Sequence, residues 1–239
     1  MQIETTKNKL IIILFTYVNI YCIFDFENNF YMKLKKSLFI FLSFFFCQIE
    51  ILHAQNADIN ILRSINVNRN ISLDNPMKFI SKSEGYIGIG IPIAIVAVAY
   101  AREDSKLFQQ GINMSLALIA NTASTFVLKK IINRTRPAYT YSDIQAFENV
   151  QYHSFPSGHT SNAFCNAMSL SLNFKKASII IPAFAWARVV GYSRMHLGVH
   201  YPSDVLGGAL VGVGSAYATY KINQWFKSYF KEKYPESHF

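Results

Sequence analysis

Apolar residues in this chain come in blocks rather than in strict alternation, and most blocks end at lysine, asparagine or proline. From residue 86 onward five blocks follow one another: Tyr86 to Tyr100, Gly111 to Leu128, Thr160 to Phe174, Ala177 to Gly191 and Ser203 to Tyr220. Runs of this length are too long for ordinary strands and lie near the lower limit for a helix crossing about 30 Å of hydrocarbon. Several carry Asn, Ser and Thr, which serve as hydrogen-bonding contacts between membrane helices. The pattern predicts an all-α fold, a membrane-embedded helical bundle of about five to six helices. Ahead of it, the Asn-rich stretch 56–75 places Ile59, Leu62 and Ile65 at helical spacing, as in a short amphipathic helix lying along the membrane surface. Asp74-Asn75-Pro76 then predicts a turn and a new helix from about Met77.

The first third of the chain has a different organisation. Met32-Lys33-Leu34-Lys35-Lys36 is a basic n-region, Ser37 to Cys47 an apolar h-region, and Leu52-His53-Ala54 a small-residue cleavage site before Gln55. Residues 32–54 therefore read as a secretory signal peptide. Residues 1–31, with a further apolar stretch from Leu10 to Phe24, read as a doubtful upstream extension, the alternative being an extra transmembrane anchor. The rest divides into an exported N-terminal segment (55–85), a helical core (86–225) and a basic cytoplasmic tail (226–239). Cleavage would leave Cys165 alone among the three cysteines, so no intrachain disulfide is expected. Phe44-Phe45-Phe46-Cys47 lacks the small residues of a lipoprotein cleavage site.

Composition sharpens the membrane reading. The chain is 51% hydrophobic and 15% charged, yet carries a formal charge of +9. A basic balance can signal nucleic acid, but no stacking or groove-reading motif accompanies it, and no nucleic-acid partner is expected. The lysines instead flank the apolar blocks. If the first block enters from the exported side, Ala101 to Gln110, Lys175-Lys176 and the tail with Lys221, Lys227, Lys231 and Lys233 fall in the cytoplasm, as the positive-inside rule requires. The opposite helix ends then share one exported face.

Three short patches of chemistry lie at that face: Lys129 with Arg136-Pro137, Pro156-Ser157-Gly158-His159, and Ser193-Arg194 with His200 and Asp204. A transferring phosphoryl group spreads negative charge over its oxygens and needs cations and N–H donors placed around it. Lys129, Arg136 and Arg194 supply the cations, Arg as a planar fork and Lys as a mobile point charge. Ser157 and Gly158 suit a cradle ahead of a helix that begins just after His159 and points its free N–H groups at an anion. His200 with Asp204 fits a nucleophile and its orienting carboxylate, which leaves His159 as general acid and base. Pro202 predicts that His200 lies just before a helix and Asp204 in its first turn. Arg136 lies seven positions after Lys129, which at about 3.6 residues per turn predicts both on one helix face. His153 and His196 fall off the pattern and read as supporting or surface residues. Each piece has an ordinary explanation by itself: a helix-end lysine, a helix stop before proline, a capped turn, a first-turn acid. Their joint occurrence in this order argues against those explanations.

Lys129-x6-Arg136-Pro137, Pro156-Ser157-Gly158-His159 and Ser193-Arg194-x5-His200-x3-Asp204 resemble the three signature motifs of the type 2 phosphatidic acid phosphatase (PAP2) and vanadium haloperoxidase superfamily, with no substitution at a signature position. The resemblance implies a metal-independent phosphatase, without cofactor, in which His200 forms a phosphohistidine, Asp204 partners it and His159 acts as acid and base. It also implies phosphate binding by Lys129, Arg136, Ser157, Gly158 and Arg194. Combined with the helix pattern, it implies a bacterial inner-membrane enzyme whose site faces the periplasm. The expected substrate is a lipid phosphate or diphosphate of the undecaprenyl diphosphate, phosphatidic acid, phosphatidylglycerophosphate or lipid A type, and no obligate protein partner is expected. A soluble exported acid phosphatase acting on small phosphomonoesters is the alternative, and a vanadium haloperoxidase a more distant one. The loop from Ala138 to Phe155, with Tyr139, Tyr141 and Phe147, is expected to cover the site at the interface.

Overall fold

The computed structural model describes residues 56–148 and 153–233; the predicted upstream extension and signal peptide, and the last part of the tail, lie outside them. The described residues hold no strand, only an isolated bridge between Thr135 and His153. Their helices are α1 (residues 56–66), α2 (Asp74–Ala101), α3 (Ser105–Ile132), the single turn α4 (Pro137–Thr140), α5 (Gly158–Phe174), α6 (Ala177–His196) and α7 (Pro202–Lys233).

Each long helix runs past its apolar block because the flanking polar residues continue it. α2 begins at Asp74, so Asp74-Asn75-Pro76 forms its first turn and not a separate turn before Met77. α3 is capped by Asp104, whose carboxylate accepts the Leu107 N–H at 2.9 Å, and ends at Asn133 in the left-handed region. Both helices have 28 residues, about 42 Å at 1.5 Å per residue, and are long and apolar enough to cross a membrane. The shorter blocks suggested only marginal spans.

α5 is the hub, packed against α2, α3, α6 and α7. Its sequence explains the position, for Ala163, Cys165, Ala167 and Ser169 are small enough to be buried on several sides at once. On the facing helix, a Cβ at Gly212 would lie 2.2 Å from the Ser161 carbonyl oxygen and one at Gly208 2.5 Å from that of Ser157. Only glycine lets α7 approach α5 so closely. Lys175, in the left-handed region, ends α5 and lets α6 start two residues later as its antiparallel neighbour.

Polarity is inverted relative to a water-soluble bundle. Inside, Asn121, Thr125, Ser161 and Asn166 are buried, with Ser161 Oγ donating to Asn121 Oδ1 at 2.5 Å and Asn121 Nδ2 to Asn162 Oδ1 at 2.8 Å. Outside, Ile89, Ile93, Ile119, Phe126, Ile181, Leu206 and Leu210 stand exposed on four different helices. An apolar exterior of this extent fits lipid as the surrounding medium.

One expectation fails at the N-terminal side. α1 does not present its apolar face to a membrane surface: Ile59 and Leu62 are buried against Ile144 and Tyr201, and Asp58 and Asn66 are buried too. Burial against the loops beside Tyr201 outcompetes interfacial exposure of the same face.

Candidate active site

The three sequence patches meet where α3 ends, α5 begins and α6 passes into α7. Lys129 lies in the last turn of α3, and its ammonium donates to the carbonyls of His153 and Ser154, both at 3.3 Å. Arg136 corrects a sequence expectation, since it shares no helix face with Lys129. Asn133 has already ended α3, and Pro137 forces Arg136 into extended backbone (φ −72°, ψ 154°) as the cap of α4. That extension carries its guanidinium to the last loop, where Nη1 donates to the Val199 carbonyl at 2.7 Å and lies 3.1 Å from His200 Nε2.

His200 is buried just ahead of α7, and Asp204 is in that helix's first turn, as Pro202 predicts. Its Nδ1 faces Asp204 Oδ2 at 3.4 Å. With the proton on Nδ1, the Nε2 lone pair points toward Arg136 and away from the carboxylate. Burial and the nearby cationic charge of Arg136 push the His200 ring down to about 3, so it is neutral at ordinary pH. Burial and Arg194 lower Arg136 to about 10.

The Asp204 carboxylate has partners on several segments. Besides His200, its Oδ2 accepts the Tyr201 N–H at 2.9 Å and the Ser154 hydroxyl, while Oδ1 accepts Arg134 Nη1 at 2.8 Å. Arg134 also reaches Asp58 of α1 at 2.7 Å and Ser203 Oγ at 2.6 Å, and lies 3.8 Å above the Tyr201 ring. Asp58 in turn accepts the Ser203 N–H at 2.8 Å. Sequence reading missed Arg134, Asp58 and Ser154. In the sequence Arg134 is one of several basic residues near Lys129, and nothing in its spacing marks it.

Ser157 caps α5 with its N–H bonded to the Asp204 carbonyl at 2.9 Å and its hydroxyl 2.9 Å from Thr160 Oγ1. Gly158 and His159 follow in the first turn, whose N–H groups have no acceptors within the helix. His159 lies in the combined field of Arg194, Glu148, Arg136 and Lys129, and burial followed by Arg194 brings it down to about 4.

Arg194, at the end of α6, is almost fully buried. It pairs with Glu148, which follows α4, at 2.8 Å and donates to Ser81 of α2, while Ser81 donates to Glu148 at 2.7 Å. Burial raises the Glu148 carboxyl, but Arg194 and Ser81 more than offset this and hold it below the ordinary carboxylate range. Glu148 was another residue the sequence did not single out. His196 is buried, not at the surface, and pairs with Asp74 at 2.8 Å, apart from the His200 network. Chemically, the arrangement offers a neutral imidazole braced by a carboxylate, a second imidazole, and Lys129, Arg136 and Arg194 to neutralise an anion.

A bundle with an apolar exterior, carrying such a group at one end of its helices, defines the class: a membrane phosphatase. Comparison with known proteins narrows this. Residues 110–228 match the PAP2 superfamily. Phosphatidylglycerophosphatase B of Bacillus subtilis is 30% identical over 186 residues, covering 74% of this chain and 88% of that protein. Undecaprenyl-diphosphatase of Sulfolobus acidocaldarius is 27% identical over 167 residues, covering 69% and 78%. The crystal structure of a transmembrane PAP2-type phosphatidylglycerolphosphate phosphatase from Bacillus subtilis superimposes with a TM-score of 0.63 at 27% identity, covering 79% of this chain and 94% of that one. The chain belongs to the PAP2 superfamily.

Proposed function

We propose that this membrane phosphatase hydrolyses a lipid phosphate or diphosphate through a phosphohistidine on His200. The observation that carries this reading is the buried imidazole of His200, held at Nδ1 by Asp204 with Nε2 turned to Arg136. Nε2 attacks phosphorus, the bond to the ester oxygen breaks, and a protonated His159 gives its proton to that leaving oxygen. Water then attacks the phosphohistidine and returns a proton to His159, and the N–P bond breaks to release phosphate. A bound phosphate group raises the pKa of His159 by bringing negative charge beside it, which suits its role as acid. Lys129, Arg136, Arg194, Ser157 and Gly158 hold the phosphate, Ser157 by shaping the turn and Gly158 through its backbone.

The names of the relatives support a lipid head-group substrate: one acts on phosphatidylglycerophosphate, another on undecaprenyl diphosphate. The site faces the periplasm of a bacterial inner membrane on this reading, because Arg102 in the α2–α3 turn, Lys106 at the start of α3, the two lysines of the α5–α6 turn and those of the far half of α7 all lie at the other end of the bundle. The test is phosphate release by purified full-length protein from a panel of lipid phosphates and soluble phosphomonoesters. His200→Ala is expected to abolish turnover while keeping the wild-type unfolding temperature. Near-normal turnover by that variant, or preference for soluble esters, would overturn the proposal, and loss of activity to a chelator would overturn the metal-independent scheme.

A further inference from the structure

Two cavities at the end of the bundle opposite His200 have no part in the reaction. The first, about 400 Å³, opens between the start of α3, the end of α5 and the far half of α7, and is lined by Lys106, Lys175, Lys227, Asn113, Asn173 and Asn223 among others. Lys106 lies 23 residues from Lys129 along α3, so about 35 Å of helix separates this cavity from the site. Lysines from three segments line this cavity, and among the described residues no carboxylate does. Hydrogen bonds brace its walls: Lys227 Nζ donates to Gln109 Oε1 at 2.5 Å and Gln110 Nε2 to the Asn173 carbonyl at 3.3 Å. The volume falls within the range of about 300–1,000 Å³ typical of ligand pockets.

The second cavity, about 420 Å³, shares Gln109, Asn113, Asn223 and Lys227 with the first but is otherwise walled by Phe108, Ile112, Leu116 and Phe226. These four side chains are exposed on the outer face of α3 and α7, where the bundle meets lipid. A basic, amide-rich pocket thus shares a wall with an apolar groove that follows Phe108, Ile112 and Leu116 along α3. A soluble anion would satisfy only the first half, and a neutral lipid only the second.

We infer that this end of the bundle binds an anionic phospholipid, with its phosphate head group among Lys106, Lys175 and Lys227 and an acyl chain along Phe108, Ile112, Leu116 and Phe226. Charge complementarity and the joined polar and apolar halves commit the site to an amphiphile of the lysine-bearing leaflet. It is a binding site, independent of the hydrolytic chemistry at the other end.

The experiment uses full-length protein in neutral detergent. Phosphatidylglycerol is expected to raise the unfolding temperature, phosphatidylcholine not to. Lys106→Gln/Lys175→Gln/Lys227→Gln should erase that difference while keeping wild-type hydrolysis, and His200→Ala should retain it. Inorganic phosphate should shift wild type and the triple variant equally. As a measurement that does not depend on the lysines, Trp186→Phe leaves Trp225, whose ring lies 5.0 Å from Phe226, as the single tryptophan. Its fluorescence should be quenched more by acyl-brominated phosphatidylglycerol than by the brominated choline lipid. Equal response to both lipids, persistence of the shift in the triple variant, its loss in His200→Ala, or a larger shift with phosphate in wild type than in the triple variant would overturn the inference.

Discussion

Replacing Arg134 with Gln tests whether the bracing of Asp204 from behind contributes to turnover. Arg134 has Nη1 bonded to Ser203 and Asp204 and Nη2 to Asp58, and it is not one of the cations proposed to hold the phosphate. Removing one partner of a fully buried ion pair costs about 3–5 kcal/mol. Here Asp204 is fully buried but Arg134 is 27% exposed, and Asp204 keeps the Tyr201 N–H and the Ser154 hydroxyl. These features reduce the expected loss to about 1.4–2.7 kcal/mol. Expressed in the transition state, where the imidazole of His200 gains positive charge and depends most on its carboxylate, that is about tenfold to hundredfold in kcat. KM should change little, because the cations proposed to hold the phosphate are untouched. Steady-state kinetics on one lipid phosphate in mixed micelles separate the two parameters, with Arg194→Gln as the contrasting case that raises KM. Asp58→Asn should lower kcat in the same sense but less, since it leaves the Arg134–Asp204 contact in place. An Arg134→Gln enzyme with unchanged kcat, or with raised KM alone, would refute the reasoning.

Other perturbations have equally definite outcomes. Glu148→Gln removes the carboxylate paired with Arg194, and if Arg194 holds the phosphate as proposed, inorganic phosphate should inhibit more tightly, by about threefold to tenfold in Ki; weaker inhibition would show that Glu148 assists binding instead. Gly212→Ala forces a Cβ against the Ser161 carbonyl and should destabilise by about 1–3 kcal/mol in thermal unfolding, whereas Gly214→Ala, with nothing within 4 Å, should be silent. For pH, His200 and His159 are held at about 3 and about 4 in the folded chain, below the ordinary value of about 6.5. The unfolded chain takes up more protons in between, so their contribution to stability is present above about pH 6.5 and is lost as pH falls through that window. Unfolding temperatures at about pH 7.5 and about pH 5 should show the drop, and His200→Asn should reduce it; a protein more stable in acid would contradict the assignment.

What could be read from the chain divides along physical lines. The long helices were legible because lipid imposes long apolar blocks, and the residues proposed for the site because phosphate chemistry restricts their types and spacing. Their ends were less so. Counting turns put Arg136 on the α3 face, although Pro137 beside it and Asn133 before it carry the local signals that end the helix and extend the chain. The residues that brace the site were not legible at all. Arg134 meets Asp58 across 76 positions, and Arg194 meets Ser81 across 113. Pairings of this kind leave no periodic trace and are decided only when separate helices dock. The placement of α1 failed for the same reason: Ile59 and Leu62 at helical spacing specify an apolar face, but not what covers it.

Asp204 takes its hydrogen bonds from residues that arrive by separate routes through the membrane: Arg134 after α3, Ser154 before α5, Tyr201 and His200 before α7, with Asp58 of α1 closing the ring through Arg134. The carboxylate belongs to the last helix and has its full set of partners only when α1, the end of α3, the segment before α5 and the turn before α7 have taken their places. Hydrolytic activity in this protein is therefore a report of finished assembly. A chain stalled with one helix uninserted should retain most of its helical signal and none of its turnover, so a single-point activity assay should reveal misassembly that circular dichroism would pass over.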